Sequence, residues 1–306
     1  MIKIGDIIIS NLFIGSTQVS KVYLGGVKVW PITTETNYVT FTAQQDNSSI
    51  GLIKLSTNQT LEYSTDTVTW NTLNTATNIS LNIGDKVYVR GKLNADNTTS
   101  NYTQFKMSGK IAASGNTNSL WDYENPDAQL KQYCGYRLFY QCSVLTNVSE
   151  LTLGKSATAL ANDCYYSMFS GCGALTYAPV LPSTTLAFDC YREMFRNCTS
   201  LTSAPVLPST TLASSCYQYM FYGCRNLTKA PDLHATTLKN GCYYWMFLNC
   251  SNLNYIKCLA TDISASDCTY NWLSGVSSNG TFVKASTTTW TTGADGIPEG
   301  WTTQDA

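Results

Sequence analysis

Charge is scarce in this 306-residue chain: Asp, Glu, Lys and Arg make up 13% of it, and the formal net charge is −1. Without a basic stripe there is no electrostatic footprint for nucleic-acid phosphates, and no polybasic segment for an anionic membrane surface. Histidine is confined to His234, at a repeat position held by Pro182 and Pro208 in sibling copies. A Ser-His-Asp or Cys-His centre would have to be built on that one imidazole. No apolar run approaches the roughly 18 residues of a membrane-crossing helix, so no membrane insertion is expected. The opening MIKIGDIIIS has a three-residue apolar run and an Asp where an export signal needs a long apolar stretch, and it reads as a strand. Metal and phosphate motifs are missing too. Cys-x7-Cys is not a zinc spacing, no Asp/Asn-rich loop matches an EF-hand, and no glycine-rich phosphate loop occurs. No metal and no cofactor are expected.

Cysteine, by contrast, is plentiful, with 12 residues. Cys164/Cys172, Cys190/Cys198, Cys216/Cys224 and Cys242/Cys250 are each eight residues apart. On a helix that spacing spans about 12 Å, beyond the roughly 7 Å that a disulfide tolerates. The thiols are expected to be reduced, small core residues.

Their spacing belongs to a repeat. CYYSMFSGCGALTYAPVLPSTTLAFD begins at Cys164, CYREMFRNCTSLTSAPVLPSTTLASS at Cys190, CYQYMFYGCRNLTKAPDLHATTLKNG at Cys216 and a degenerate CYYWMFLNCSNLNYIKCLATDISASD at Cys242, a 26-residue period. A longer first copy starts at Cys134 and a decayed last one at Cys268. Cys190, Tyr191, Met194, Phe195 and Cys198 fall on an arc of about 140° at 100° per residue, one apolar face of a short helix. Asp163, Asp189, Ser215, Gly241 and Asp267 stand where N-caps belong. Gly171, Asn197, Gly223, Asn249 and Gly275 stand where left-handed C-terminal caps belong. Leu201, Ala204, Val206 and Leu207 read as an extended segment, with Pro205 and Pro208 forbidding helix. One such unit cannot offset its own ordering entropy, so the copies must stack.

The pattern MFxxCxxLTxAPxLPSTTLA resembles the BspA-like leucine-rich repeats of gut Bacteroidales proteins and of phages that infect those bacteria. The likeness covers about residues 120–306, and the tail at 280–302 is similar to the terminal cap of that group. The resemblance implies a stacked solenoid and a surface or virion recognition role. Upstream, LFIGSTQV at 12–19 and VYLGGVKV at 22–29 read as hairpin strands, and the stretch resembles small β-modules that attach phage appendages. Residues 32–118 read as a β-sandwich, with strands near 38–42, 51–55, 60–64, 68–73, 79–81, 86–92 and 102–107. Residues 119–133 suggest a turn at 125–126 and a helix running into the first repeat.

The expected fold class is therefore α+β: a small all-β N-terminal module (1–31), a β-sandwich (32–118), a leucine-rich-repeat-like α/β solenoid (119–279) and a C-terminal cap (280–306). For chemistry, Asp122, Glu124 and Asp127 cluster at the junction, and Asp46 and Asp66 lie in the β-domain. Two carboxylates would suffice for a glycosidase, but acids in a turn-rich linker are ordinarily solvated, and no enzyme is expected. What varies between copies is the outer surface. Arg192, Glu193 and Arg196 are followed by Gln218, Tyr219 and Tyr222, then by Tyr244, Trp245 and Leu248. The outward aromatics Tyr219, Tyr222, Tyr244 and Trp245 form a candidate binding patch, with packing on the cap or on a sister subunit as the alternative. A second ladder runs through Tyr177, Ser203, Lys229 and Tyr255.

The expected function is a non-enzymatic virion appendage, a head or tail fibre or a decoration protein, on the virion exterior. It would hold other virion proteins through residues 1–31, form a homo-oligomer, as a trimer, and meet a host-surface glycan or protein. The absent export signal and the reduced cysteines favour this over a bacterial cell-surface adhesin. A carbohydrate-active enzyme stands third.

Overall fold

The computed structural model describes residues 38–125, 128–154 and 160–306, preceded by the backbone of six short strands between residues 2 and 30. The chain divides into two units, residues 1–37 and 38–306. In the first, β1 (Ile2–Ile4) pairs antiparallel with β2 (Ile7–Ile9), β3 (Phe13–Ile14) with β4 (Thr17–Gln18), and β5 (Val22–Leu24) with β6 (Val27–Trp30). The two similar sequence runs thus each carry one antiparallel strand pair.

The second unit opens with β7 (Val39–Ala43), β8 (Ser48–Lys54), β9 (Gln59–Ser64), β10 (Asn71–Thr72), β11 (Asn78–Leu81), β12 (Lys86–Leu93), β13 (Gln104–Ser108) and β14 (Ile111–Asn116). Alternation drives them: Val39, Phe41 and Ala43 face inward from β7, and Val87 and Val89 from β12. β8 is the centre of a three-stranded sheet, flanked by β11 and β13. The larger sheet runs β10-β9-β12-β7-β14 and then continues into the repeats. There β14 pairs in parallel with β15 (Leu145–Asn147) and with β16 (Leu151–Thr152) of the first copy. The Phe105 amide donates to Leu138 O at 2.9 Å, and the Phe105 and Phe139 rings stack at 5.6 Å. One hydrophobic core therefore runs from Val39 to Trp301.

The expected α+β class, with an α/β leucine-rich-repeat solenoid, is overturned. Described residues are almost entirely strands and turns, and the one helix among them is a single turn, α1 (Asn118–Trp121). No helix runs from there into the first repeat; the expected turn at 125–126 lies partly outside the described residues. The Cys-to-Cys segments are runs of tight turns. Alternate amides close turns: Tyr166, Met168, Ser170 and Cys172 donate to the carbonyl three residues back. The amides between them leave the copy. Tyr165 donates to Cys190 O at 3.0 Å, Ser167 to Arg192 O at 2.8 Å, Phe169 to Met194 O at 3.0 Å and Gly171 to Arg196 O at 2.7 Å.

A helix spends nearly every amide on itself; here about half are spent on the neighbouring coil. Such a path needs a left-handed residue at every fourth position. Asp163 (φ 55°), Ser167 (φ 55°) and Gly171 (φ 80°) supply it in one copy, and Asp189 (φ 52°), Glu193 (φ 55°) and Asn197 (φ 57°) in the next. L-residues there cost about 1–2 kcal/mol each, which the lateral hydrogen bonds and the core must offset.

The core face stacks in columns. Phe139, Phe169, Phe195, Phe221 and Phe247 lie 5.4–5.7 Å apart. Tyr165, Tyr191, Tyr217, Tyr243 and Trp272 lie 5.9–6.3 Å apart. All 12 cysteines are free and buried. Those ending each turn run also serve as donors: Cys172 Sγ lies 3.1 Å from Phe139 O, Cys198 Sγ 3.2 Å from Phe169 O and Cys224 Sγ 3.0 Å from Phe195 O. At the far end β17 (Tyr255–Cys258), β18 (Thr281–Lys284) and β19 (Thr302–Asp305) form a parallel sheet. Trp272, Trp290 and Trp301 close the core there, with Trp272 Nε1 donating to Gly296 O at 3.0 Å and Trp301 Nε1 to Ser277 O at 2.8 Å.

Candidate functional site

The turn runs carry their large apolar side chains inward, which leaves the second, third and sixth residues after most leading cysteines partly exposed, with Tyr136, Ser167 and Ser170 as buried exceptions. Stacking the coils brings those positions side by side. Tyr219, Tyr222, Tyr244 and Trp245 do come together. Tyr219 lies 5.6 Å from Tyr244 and 5.1 Å from Trp245, and Tyr222 lies 6.4 Å from Trp245. Each is half-buried, and the burial is mutual: among the described residues, the other ring and cation contacts of this group come from Tyr270, Arg192 and Arg196.

The patch is the end of a longer band. Arg196 lies 5.0 Å from the Tyr222 ring, and Arg192 bridges from Tyr219 at 5.9 Å to Tyr166 at 5.0 Å. Tyr166 packs on Tyr136 at 5.2 Å, and Tyr136 on Tyr102 at 5.0 Å and Tyr133 at 5.5 Å. Arg137 sits over Tyr136 and Tyr140, at 5.2 and 4.7 Å. Aromatic rings and guanidinium planes therefore run without a break from Tyr102 to Tyr270. Sequence reading placed the aromatics toward the C-terminal copies and missed Tyr136, Tyr140 and Tyr166. Aligning the long first copy on Cys134 puts Tyr136 level with Tyr166, Arg192 and Tyr244 and shows the band.

Charge along the band is mostly balanced. Arg192 pairs with Asp189 at 3.0 Å, and Arg196 with Glu193 at 3.2 Å. Glu193 also accepts from Ser167 Oγ at 3.1 Å. Burial pushes the Asp189 carboxyl above its usual range in spite of Arg192. For Arg192 burial works against the charge, yet Tyr166 and Asp189 outweigh it and hold the guanidinium more firmly protonated. Burial pushes the Tyr166 phenol up to about 12, so the band's hydroxyl there is a neutral donor at any ordinary pH.

The second ladder is less joined. Tyr177 is 57% exposed and pairs with Asn147 in the preceding copy. Lys229 pairs with Tyr255 and its Nζ lies 4.9 Å over that ring, with Ser203 exposed between the two groups. Beside it a cleft of about 440 Å³ is lined by Ala204, Pro205, Val206, Lys229, Asp232 and His234. Lys229 Nζ is 3.8 Å from Asp232.

The described carboxylates among those singled out earlier are engaged locally. Asp66 accepts from the Thr69 and Val68 amides and from Ser64, which hold its carboxyl down at about 2. Glu124 pairs with Lys92 at 3.0 Å. Asp122 Oδ1 accepts from the Glu124 and Asn125 amides, and Asp46 from the Ile83 amide. Asp127 lies outside the described residues. No group of three His, Cys, Asp or Glu side chains suited to a metal gathers among the described residues. Compared with protein-family models, curated proteins and solved structures, the chain matches none of them.

Proposed function

We propose that this chain is a non-enzymatic recognition protein that binds saccharide through the band from Tyr102 to Tyr270. The observation that carries this is the continuity of the band, whose rings, apart from the buried Tyr136 that links Tyr102 to Tyr166, are partly exposed. Aromatic faces stack on the apolar faces of sugar rings, while phenol, indole and guanidinium edges offer donors. Half-burial holds the rings in place before any ligand arrives, which reduces the ordering cost of binding. Affinity measured against immobilised bacterial surface polysaccharide tests the reading. The paired substitutions Tyr219→Ala and Trp245→Ala are expected to abolish retention, and unchanged retention by that variant would refute it.

The resemblance of the repeat to BspA-like repeats of gut Bacteroidales and their phages supports deployment on a virion exterior, with residues 1–31 meeting other virion proteins and a trimer as the assembly. Gold-labelled antibody against residues 120–306 tests that placement. Label on phage particles is the expected result, and label on uninfected cell envelopes would overturn it in favour of an adhesin.

A further inference from the structure

The band's two ends differ in charge. Arg192 and Arg196 are each neutralised by a carboxylate of their own copy. Arg137, at the same position as Glu193 two copies earlier, has no carboxylate partner among the described residues. It is enclosed by tyrosines, lying 5.2 and 4.7 Å from the ring centroids of Tyr136 and Tyr140. Its Nε is buried without an acceptor, as are those of Arg192 and Arg196, so what sets Arg137 apart is the missing carboxylate beside it. Burial opposes its charge, yet Tyr102 leads the neighbours that outweigh burial and keep it protonated. The nearby acids are spent elsewhere. Asp163 accepts from Gln132 Nε2 at 3.2 Å, and Asp189 and Glu193 face Arg192 and Arg196. A half-buried guanidinium fork with no counter-ion is a point that favours an anion, because a charge-assisted bond to a planar or tetrahedral oxyanion is stronger than one to water.

We propose that the ligand is an acidic saccharide whose carboxylate or sulfate is held by Arg137, while neighbouring sugar rings lie on the half-exposed Tyr140 and Tyr166. The inference rests on the band being a saccharide surface and adds the class of sugar. One isolated arginine suits one acidic group per repeat of the sugar chain. A polyphosphate backbone would call for a row of free cations, and the band's Arg192 and Arg196 are already paired with carboxylates.

The test uses the full chain and a panel of uronate, sialic-acid and sulfated oligosaccharides, each beside its carboxyl-reduced or desulfated neutral counterpart. Wild type is expected to bind at least one acidic member about tenfold or more tightly than its neutral partner, with that margin shrinking as salt rises. R137Q is expected to bring the acidic-to-neutral affinity ratio down to about one, and R137K to recover part of it. Gln is accommodated at the next left-handed position, Gln141 (φ 59°), so R137Q preserves the backbone. Equal affinity for acidic and neutral partners, or an undiminished margin in R137Q, would overturn the acidic-sugar inference and leave the band reading standing. Neutral binding that survives Y219A/W245A, or no member binding at all, would overturn both.

Discussion

The turn-run backbone makes a prediction whose sign is opposite to that of a helix, and Ser167 is the place to read it. Ser167 sits in the middle of its run, is fully buried, and has φ 55°. Both S167A and S167G remove the hydroxyl that donates to Glu193, so comparing the two variants isolates the backbone. In the left-handed region a Cβ costs about 1–2 kcal/mol. Glycine's extra freedom in the unfolded chain returns about 0.4–1 kcal/mol of that. The middle of those ranges leaves S167G ahead of S167A by about 0.8 kcal/mol. In a helix interior alanine would instead lead by about 0.8–1 kcal/mol. Urea unfolding resolves the difference. At a slope of about 2 kcal/mol/M, S167G should unfold about 0.4 M later than S167A. An S167A midpoint equal to or above that of S167G would refute the left-handed assignment, and with it the account of how amides are shared between coils.

Two further outcomes follow from the core. Phe195→Ala opens a gap between Phe169 and Phe221 in a fully buried column and should cost about 3–5 kcal/mol in urea unfolding; a loss under about 1 kcal/mol would mean the column is not packed as described. Stability should also fall on the alkaline side. Burial raises the Cys134, Cys142, Cys190, Cys242, Cys250 and Cys258 thiols from 9.0 to about 12. The unfolded chain then releases protons that the folded chain keeps. Their contribution is whole below pH about 9 and is lost as pH climbs toward about 12, at about 1.4 kcal/mol per unit for each thiol. Urea midpoints at pH 8, 9 and 10 that do not decline would contradict the buried-thiol core.

The repeat and its buried face could be read directly from the residues. Cys190, Tyr191, Met194, Phe195 and Cys198 are all interior, and the positions taken as left-handed caps, Gly171, Asn197, Gly223, Asn249 and Gly275, do have positive φ. What could not be read was helix against turn run. Apolar residues at intervals of one and four align on one side of a path with 3.6 residues per turn, and equally on one side of a path of four-residue turns. Nine residues are too few for the two periods to separate.

The distinguishing sign lay in the left-handed residues. Asp163 and Gly171 stand eight apart and looked like two helix caps, because Ser167 midway between them carries no mark of its conformation. Strand β14 was missed because Ala-Ala-Ser-Gly has little strand propensity; its place is fixed by β7 on one edge and the first repeat on the other. The candidate patch was found in part, since aromatics in the later copies stood out while those in the long first copy were out of register.

The lateral amide bonds also set how the chain bears load. Hydrogen bonds between coils point along the stack, so tension applied along it is carried by successive interfaces in series, each one coil wide. Failure then proceeds coil by coil from an end. Each coil of 26 residues that comes free pays out about 90 Å of extended chain. A chain stacked this way is expected to lengthen in steps of one coil under a pull, where a single cooperative domain would give way all at once.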